Sequence, residues 1–368
     1  MLRPAPRLPD FPWDSLVDAT ARAAAHPGGI VDLSIGTPVD PVPAEVRSAL
    51  AGPAAELSGY PTTWGTPALR EAVVAAMRRR FGVHDLVPDA VLPTIGSKEL
   101  VAWLPSLLGL GANDVVAVPE LAYPTYAVGA RLAGAQVVRT DSTLALGPGP
   151  VRLLWLNSPS NPTGRVLPAK HLRKVVDWAR ERGAVVASDE CYLSLCDPEV
   201  GAVSVLHESV SGGDLTGLLA VHSLSKSSNL AGYRAGWVAG DPAVVAALLT
   251  VRKHAGMMVP HPVQAAMVVA LSDDEHVHTQ WARYRRRRAA LRGALTAFGL
   301  RIEHSEAGLY LWSTMDEHCR TTVDRLAARG VLVAPGEFYG TAGAAYVRVA
   351  ATATDERTAE AVRRLSTP

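Results

Sequence analysis

The sequence predicts an α/β fold: a large domain built on a mostly parallel sheet flanked by helices, followed by a smaller α+β domain. Three observations predict it. Short apolar runs alternate with helical patterns from Val42 to about Gly240, the signature of βαβ units around a sheet buried on both faces. Several of these runs end in polar clusters, and ligands of such sheets sit beyond the carboxyl ends of the strands. After Asp241 the pattern changes to long helices and then short strands, which reads as a separate lobe.

In chain order, residues 1–41 form a proline-rich segment whose extended stretch 29–34 is expected to pack on the second lobe. The large domain is expected over 42–245. Its strand candidates are the apolar runs 90–95, 114–118, 151–156, 184–187, 218–221 and 236–238, and a helix opens at Lys98. The small domain is expected over 246–368. Helical patterns at 243–254, 263–271 and 275–298 lead into strand candidates at 309–313, 331–333 and 345–350. The stretch 147–150 is a loop.

Composition narrows the function classes. At 368 residues and 48% hydrophobic content the chain can bury a full core. Lys plus Arg total 36 against 35 for Asp plus Glu, a formal charge of +1. That balance gives no global field for nucleic acid or an anionic membrane. The one basic run, Arg285 to Arg288, lies in an amphipathic pattern at 281–295 and reads as a solvated or domain-bridging helix face. Cys191, Cys196 and Cys319 neither pair off nor show C-x-x-C spacing, so a reducing, cytoplasmic setting is expected. The first twelve residues carry Arg3, Arg7 and four prolines instead of an apolar signal core, and no run of about 18 apolar residues exists. Secretion and membrane insertion are therefore not expected.

The polar clusters carry the chemistry. Lys226, in Ser223-Leu-Ser-Lys226, follows a buried strand candidate that would deliver its amine into the crevice. Burial and neighbouring cations lower a lysine pKa and free the amine to react with a carbonyl. On pattern alone the same lysine is an ordinary surface residue. Asp189 ends the run 184–188, where a carboxylate must be paired or solvated. It suits a pyridine nitrogen that must stay protonated, and it also suits a helix cap. No His or Cys at ligand spacing supports a metal. Tyr192 can turn its hydroxyl to the same crevice or stand as a half-buried aromatic.

Gly96-Ser97-Lys98 opens a helix, the geometry in which backbone N–H groups and the helix dipole hold a phosphate. Ser223, Ser225 and Arg234 add hydroxyl and guanidinium donors, although Arg234 alone reads equally as a surface ion pair. Asn161 sits in the proline-punctuated loop 157–164, where its amide could serve a ring oxygen and a carboxylate. Arg348, a cation among apolar neighbours in Tyr346-Val-Arg-Val-Ala350, is either exposed on one strand face or held to bind a carboxylate.

Taken together, Asn161-Pro-Thr-Gly164, Asp189-Glu-Cys-Tyr192, Ser223-Leu-Ser-Lys226 and Arg234 match in order and spacing a pattern that resembles the class I/II aminotransferases. The resemblance runs from Ser34-Ile-Gly36 to Arg348. It implies the fold-type I architecture of pyridoxal-phosphate enzymes, with a seven-stranded sheet, and a homodimer whose active site lies at the subunit interface. Lys226 would be the imine-forming base, Asp189 the partner of the pyridine nitrogen, and Tyr192 and Asn161 the partners of the ring oxygen. Tyr123 would stack on the ring. Ser223, Ser225, Arg234 and the Gly96–Lys98 turn would hold the phosphate of pyridoxal 5'-phosphate, with Tyr60 reaching the neighbouring subunit's cofactor. Arg348 would clamp the substrate α-carboxylate, with Gly36 contributing backbone nearby.

More distinctive stretches, among them Leu8-Pro-Asp-Phe-Pro-Trp13, Gly59-Tyr-Pro-Thr-Thr63 and His304-Ser-Glu-Ala-Gly-Leu-Tyr310, resemble actinobacterial N-succinyldiaminopimelate aminotransferases of lysine biosynthesis. They imply glutamate as amino donor and N-succinyl-2-amino-6-ketopimelate as acceptor. The same cofactor site also supports aminotransferases for other amino acids, of aspartate or alanine type, and C–S lyases.

Overall fold

The computed structural model describes residues 8–147 and 149–366. The first seven residues of the proline-rich segment, with Arg3 and Arg7, lie outside the described residues. The large lobe is organised on seven strands, β1 (Val91–Ile95), β2 (Val115–Val118), β3 (Gln136–Arg139), β4 (Val151–Asn157), β5 (Val185–Asp189), β6 (Leu218–Ser223) and β7 (Ala235–Gly240). Their order across the sheet is β1-β7-β6-β5-β4-β2-β3. Only β7 runs against its neighbours β1 and β6; the other pairs are parallel.

The unbroken apolar runs follow from burial on both faces. Along β4, Leu154 and Leu156 enter one core with Val176, Val186 and Leu218, while Leu153 and Trp155 enter the opposite core with Leu100, Val116 and Leu219. β3 is absent from the sequence expectation. As an edge strand its residues are at most half-buried, so it carries no apolar signal.

Polarity places the site. β1, β4, β5 and β6 all end at one edge of the sheet, and the reversed β7 begins there. Gly96 after β1, Asn157, Asp189 and Ser223 at strand ends, and Arg234 before β7 therefore arrive together.

After Gly96, helix α1 (Ser97–Leu107) packs on α2 (Thr125–Leu132), and Gly129 permits the approach: a Cβ there would lie 2.7 Å from the Val101 carbonyl oxygen. The short α3 (Leu224–Ser227) carries Lys226. Helices α4 (Pro242–Ala255), α5 (His261–Ser272) and α6 (Glu275–Ala297) follow.

The expected boundary between 245 and 246 does not match the packing. On α4, Val245, Leu248 and Leu249 bury into the large-sheet core. On α5, Val263, Ala266 and Met267 join the other large-sheet core with Leu69 and Val73. Periodicity identifies these helices but says nothing about which core they cover. The smaller lobe starts with α6, whose Leu291, Ala294 and Leu295 enter a separate cluster.

That lobe holds a four-stranded antiparallel sheet of β8 (Arg301–Glu303), β9 (Tyr310–Thr314), β10 (Ala334–Pro335) and β11 (Tyr346–Ala350). Leu16, Ala19, Ala23 and Leu33 of the N-terminal segment pack into its core. Val31 and Asp32 pair in parallel with Val331 and Leu332, so 331–333 serves the N-terminal segment instead of the four-stranded sheet. Among the described residues no helix is long and apolar enough to cross a membrane. The basic run splits as a bridging face: Arg287 and Arg288 are buried, while Arg285 stays outside on Asp197.

Candidate active site

At the sheet edge, the Asp189 carboxylate is buried and accepts from the Tyr126 hydroxyl at 2.8 Å and from the Cys191 amide at 3.2 Å. Burial raises its pKa, and these hydrogen bonds, with His222 behind the strand, work against that rise. Among the described residues no cationic side chain is one of its hydrogen-bond partners. Asn157 ties the strand ends together, donating to the Asp189 carbonyl at 2.8 Å and accepting from the Asn161 amide at 2.7 Å.

Lys226 projects from α3 into the crevice, where its amine donates to the Gly36 carbonyl. Burial, with Arg348 and Arg234 nearby, pushes its pKa down to about 8 against a lesser rise from Cys191. An amine with a pKa of about 8 can react as a nucleophile or carry a proton a little above neutral pH. Gly36 must be glycine at this point, since a Cβ would lie 2.2 Å from the Tyr310 hydroxyl oxygen.

The phosphate-type donors converge as well. Ser223 and Ser225 hold each other at 2.8 Å between hydroxyls. Arg234 adopts a left-handed φ of 57° and donates to the Ala231 carbonyl at 2.7 Å, which turns its guanidinium toward Gly96. Gly96 is left-handed too, at φ 71°, and a Cβ there would meet the Arg234 guanidinium nitrogen at 2.3 Å. Ser97 opens α1, while the exposed Lys98 side chain sits 5.6 Å above the Phe11 ring.

Arg348 is 3% exposed, so its expected alternative as a surface strand residue falls away. It donates to Asn161 Oδ1 at 2.8 Å and to the Ser34 carbonyl at 2.6 Å, with its carbon centre 4.0 Å from the Tyr310 ring. Its Nε is buried without a protein partner. Tyr192 exchanges a 3.0 Å hydrogen bond with the Tyr310 hydroxyl, and burial holds its phenol well above the usual pKa. Tyr123 lies edge-on to Tyr126 at 5.8 Å. Tyr60 is not brought to this crevice within the chain; it is 92% exposed.

Tyr126, Tyr310 and Asn157 belong to this constellation and are missing from the sequence expectation. The only cue for Tyr126 is its spacing of three from Tyr123 on a helical pattern. Tyr310 lies on a strand of the other lobe; it closes the distinctive stretch 304–310, but nothing local points it at Tyr192.

The aminotransferase class I and II family model matches residues 29–365. The chain belongs to the class I and II aminotransferases. The aminotransferase is 65% identical to the probable aminotransferase Rv1178 of Mycobacterium tuberculosis, over 98% of this chain and 85% of that protein. It is 58% identical to 4-dedimethylamino-4-oxo-anhydrotetracycline transaminase OxyQ of Streptomyces rimosus, over 98% and 99%. An LL-diaminopimelate aminotransferase of Dehalococcoides mccartyi is 32% identical over 98% and 96%.

The fold of the aminotransferase is type I, and its family depends on pyridoxal 5'-phosphate. The residues at the sheet edge fit that cofactor. A buried carboxylate hydrogen-bonded only by neutral donors suits a protonated pyridine nitrogen, a depressed lysine amine suits a carbonyl, and the hydroxyl, guanidinium and helix-start donors suit a phosphate. Gly96 gives a direct test. Gly96→Ala places a methyl against the Arg234 guanidinium and strains a left-handed backbone, so cofactor affinity is expected to fall about tenfold or more. Fluorescence titration of the apoprotein with the cofactor measures this, and unchanged affinity removes the Gly96–Arg234 contact from cofactor binding.

Proposed function

We propose that this aminotransferase transfers an amino group from glutamate to N-succinyl-2-amino-6-ketopimelate in a ping-pong reaction, using Lys226 as its proton carrier. The observation that carries the catalytic part is Lys226 itself, an amine depressed to about 8 in a crevice that also holds Asp189 and Arg348. When bound, pyridoxal phosphate supplies an electron sink and a temporary seat for the amino group.

The chain's own residues do the rest. Arg348 and the Asn161 amide fix the substrate α-carboxylate, which sets the Cα–H bond toward Lys226. The Lys226 amine would take up the Cα proton and give it back two atoms away, on the far side of the transferred nitrogen. Asp189, backed by Tyr126, would keep the ring nitrogen protonated, and Tyr192 would donate to the ring oxygen. Ser223, Ser225, Arg234 and the amides of the Gly96–Lys98 turn would hold the phosphate. Tyr123 would stack on the ring. A second copy of the chain would bring its exposed Tyr60 to this site.

The lysine-pathway substrate is supported by the distinctive stretches at 8–13, 59–63 and 304–310, and by the relative that acts on diaminopimelate. Lys98, exposed at the start of α1, is a cation available to a distal carboxylate. A second reading, a polycyclic aromatic ketone, draws on the 58% identity to OxyQ and on aromatic rings near Arg348. The Trp13 ring lies 6.0 Å from the guanidinium carbon, and its centroid is 5.6 Å from that of the tilted Phe11 ring.

An acceptor panel with glutamate as donor separates the two. Succinylated ketopimelate is expected to show the highest kcat/KM, about tenfold or more above the acetylated and free forms. Preference for oxaloacetate or pyruvate overturns the lysine-pathway substrate, and preference for an oxo-anhydrotetracycline establishes the second reading.

A further inference from the structure

Helix α6 presents a polar face to the turn that carries Lys226. His276, Gln280, Tyr284 and Arg287 recur at spacings of four, four and three, which puts them on one side of the helix. Each of the first three grips the segment from Lys226 to Asn229. The Tyr284 hydroxyl donates to the Lys226 carbonyl at 3.3 Å. His276 Nε2 and the Ser228 hydroxyl share a 2.8 Å hydrogen bond, and Gln280 Oε1 accepts from the Asn229 amide at 3.1 Å.

The far side of the same face holds the N-terminal segment. Gln280 donates to Asp40 at 2.8 Å, and Arg287 binds both Asp40 oxygens at 2.7 and 2.8 Å.

Ser228, His276 and Asp273 form a chain of 2.8 and 2.6 Å contacts in the order of a hydrolytic triad. Ser228 has no exposed surface, however, so no substrate reaches its hydroxyl. The chain braces α3.

Tyr284 is the centre of this arrangement. It is fully buried, and its ring packs in one cluster with Tyr192 and Tyr310. Burial, with Asp40 nearby, raises its pKa, so its hydroxyl stays a donor throughout the working range. Farther along α6, Leu291 and Leu295 are embedded in the core of the lobe that carries Arg348. One rigid helix therefore touches the Lys226 turn at one end and the carboxylate-binding lobe at the other.

We propose that Tyr284, with Gln280 and His276 beside it, is a positioning residue that fixes the Lys226 turn relative to the lobe bearing Arg348. Tyr284 touches neither substrate nor cofactor in this assignment; it acts through the Lys226 backbone. The inference rests on Lys226 being the cofactor-linked lysine.

The test uses the holoenzyme. Borohydride reduction and peptide mapping first establish whether Lys226 holds the cofactor in wild type and in Tyr284→Phe; a different labelled lysine in wild type overturns the underlying reading and, with it, this one. With Lys226 labelled, Tyr284→Phe is expected to lower kcat about tenfold with glutamate KM within about twofold. It is also expected to move the pH midpoint of the lysine-linked visible chromophore, with little change in Tm. Gln280→Met, which keeps side-chain volume, is expected to shift both in the same direction by less. A kcat and midpoint equal to wild type in both variants overturn the proposal, as does a loss of rate that only tracks the folded fraction.

Discussion

Lys226→Ala is expected to abolish turnover, by about 10⁴-fold or more, and to remove the yellow colour of the purified protein. In the proposed mechanism two functions leave with one amine: the covalent tether of the cofactor and the group that carries the proton at Cα. Neighbouring side chains do not replace it. Cys191 is raised well above the usual thiol range by burial, and Tyr192 is held protonated in the same way, so neither is a base near neutral pH. Absorbance spectra and half-reaction kinetics check this, and a variant that keeps its colour and rate removes Lys226 from the mechanism.

The depressed lysine also sets a pH dependence. Only the neutral amine attacks a carbonyl, and its fraction grows as pH rises through about 8. Cofactor uptake by the apoprotein is therefore expected to accelerate with a midpoint near 8, well below the ordinary lysine range. Stopped-flow mixing with pyridoxal phosphate reads this directly.

Some of this was legible in the sequence because strand ends are legible. Asp189 and Ser223 each terminate an apolar run, and β4, β5 and β6 are parallel, so residues that close consecutive runs had to meet at one edge. The antiparallel β7 was less obvious. Its apolar run looks like the others, yet only its reversal brings Arg234 to the edge instead of away from it.

What stayed hidden lies in contacts between distant elements. Tyr126 reaches Asp189 across 63 positions and Tyr310 reaches Tyr192 across 118, and no local pattern encodes either pairing. The lobe boundary failed for a related reason. Helices α4 and α5 carry the apolar residues that any packed helix carries, and only the fold decides that they cover the large sheet.

Arg348 joins those long-range contacts to the chemistry, and its removal is the second large effect. The guanidinium is already oriented before substrate arrives. Asn161 and the Ser34 carbonyl each take one terminal nitrogen, and the Tyr310 and Tyr339 rings flank it with centroids at 4.0 and 5.0 Å. A carboxylate that docks there meets a cation whose desolvation is already complete, so the gain on binding exceeds that of a surface pair. Arg348→Ala is expected to lower kcat/KM for glutamate and for the keto acid by about 30-fold or more, mainly through KM. Arg348→Lys is expected to recover little, because a point charge cannot hold Asn161, Ser34 and a carboxylate together. A donor amine without an α-carboxylate provides the internal control. Its low rate should be nearly indifferent to the substitution, whereas damage to the fold or to cofactor binding would depress both donors alike. An unchanged kcat/KM for glutamate would show that the carboxylate docks elsewhere, and the Arg348–Asn161–Ser34 contact would then be a structural tie between the lobes.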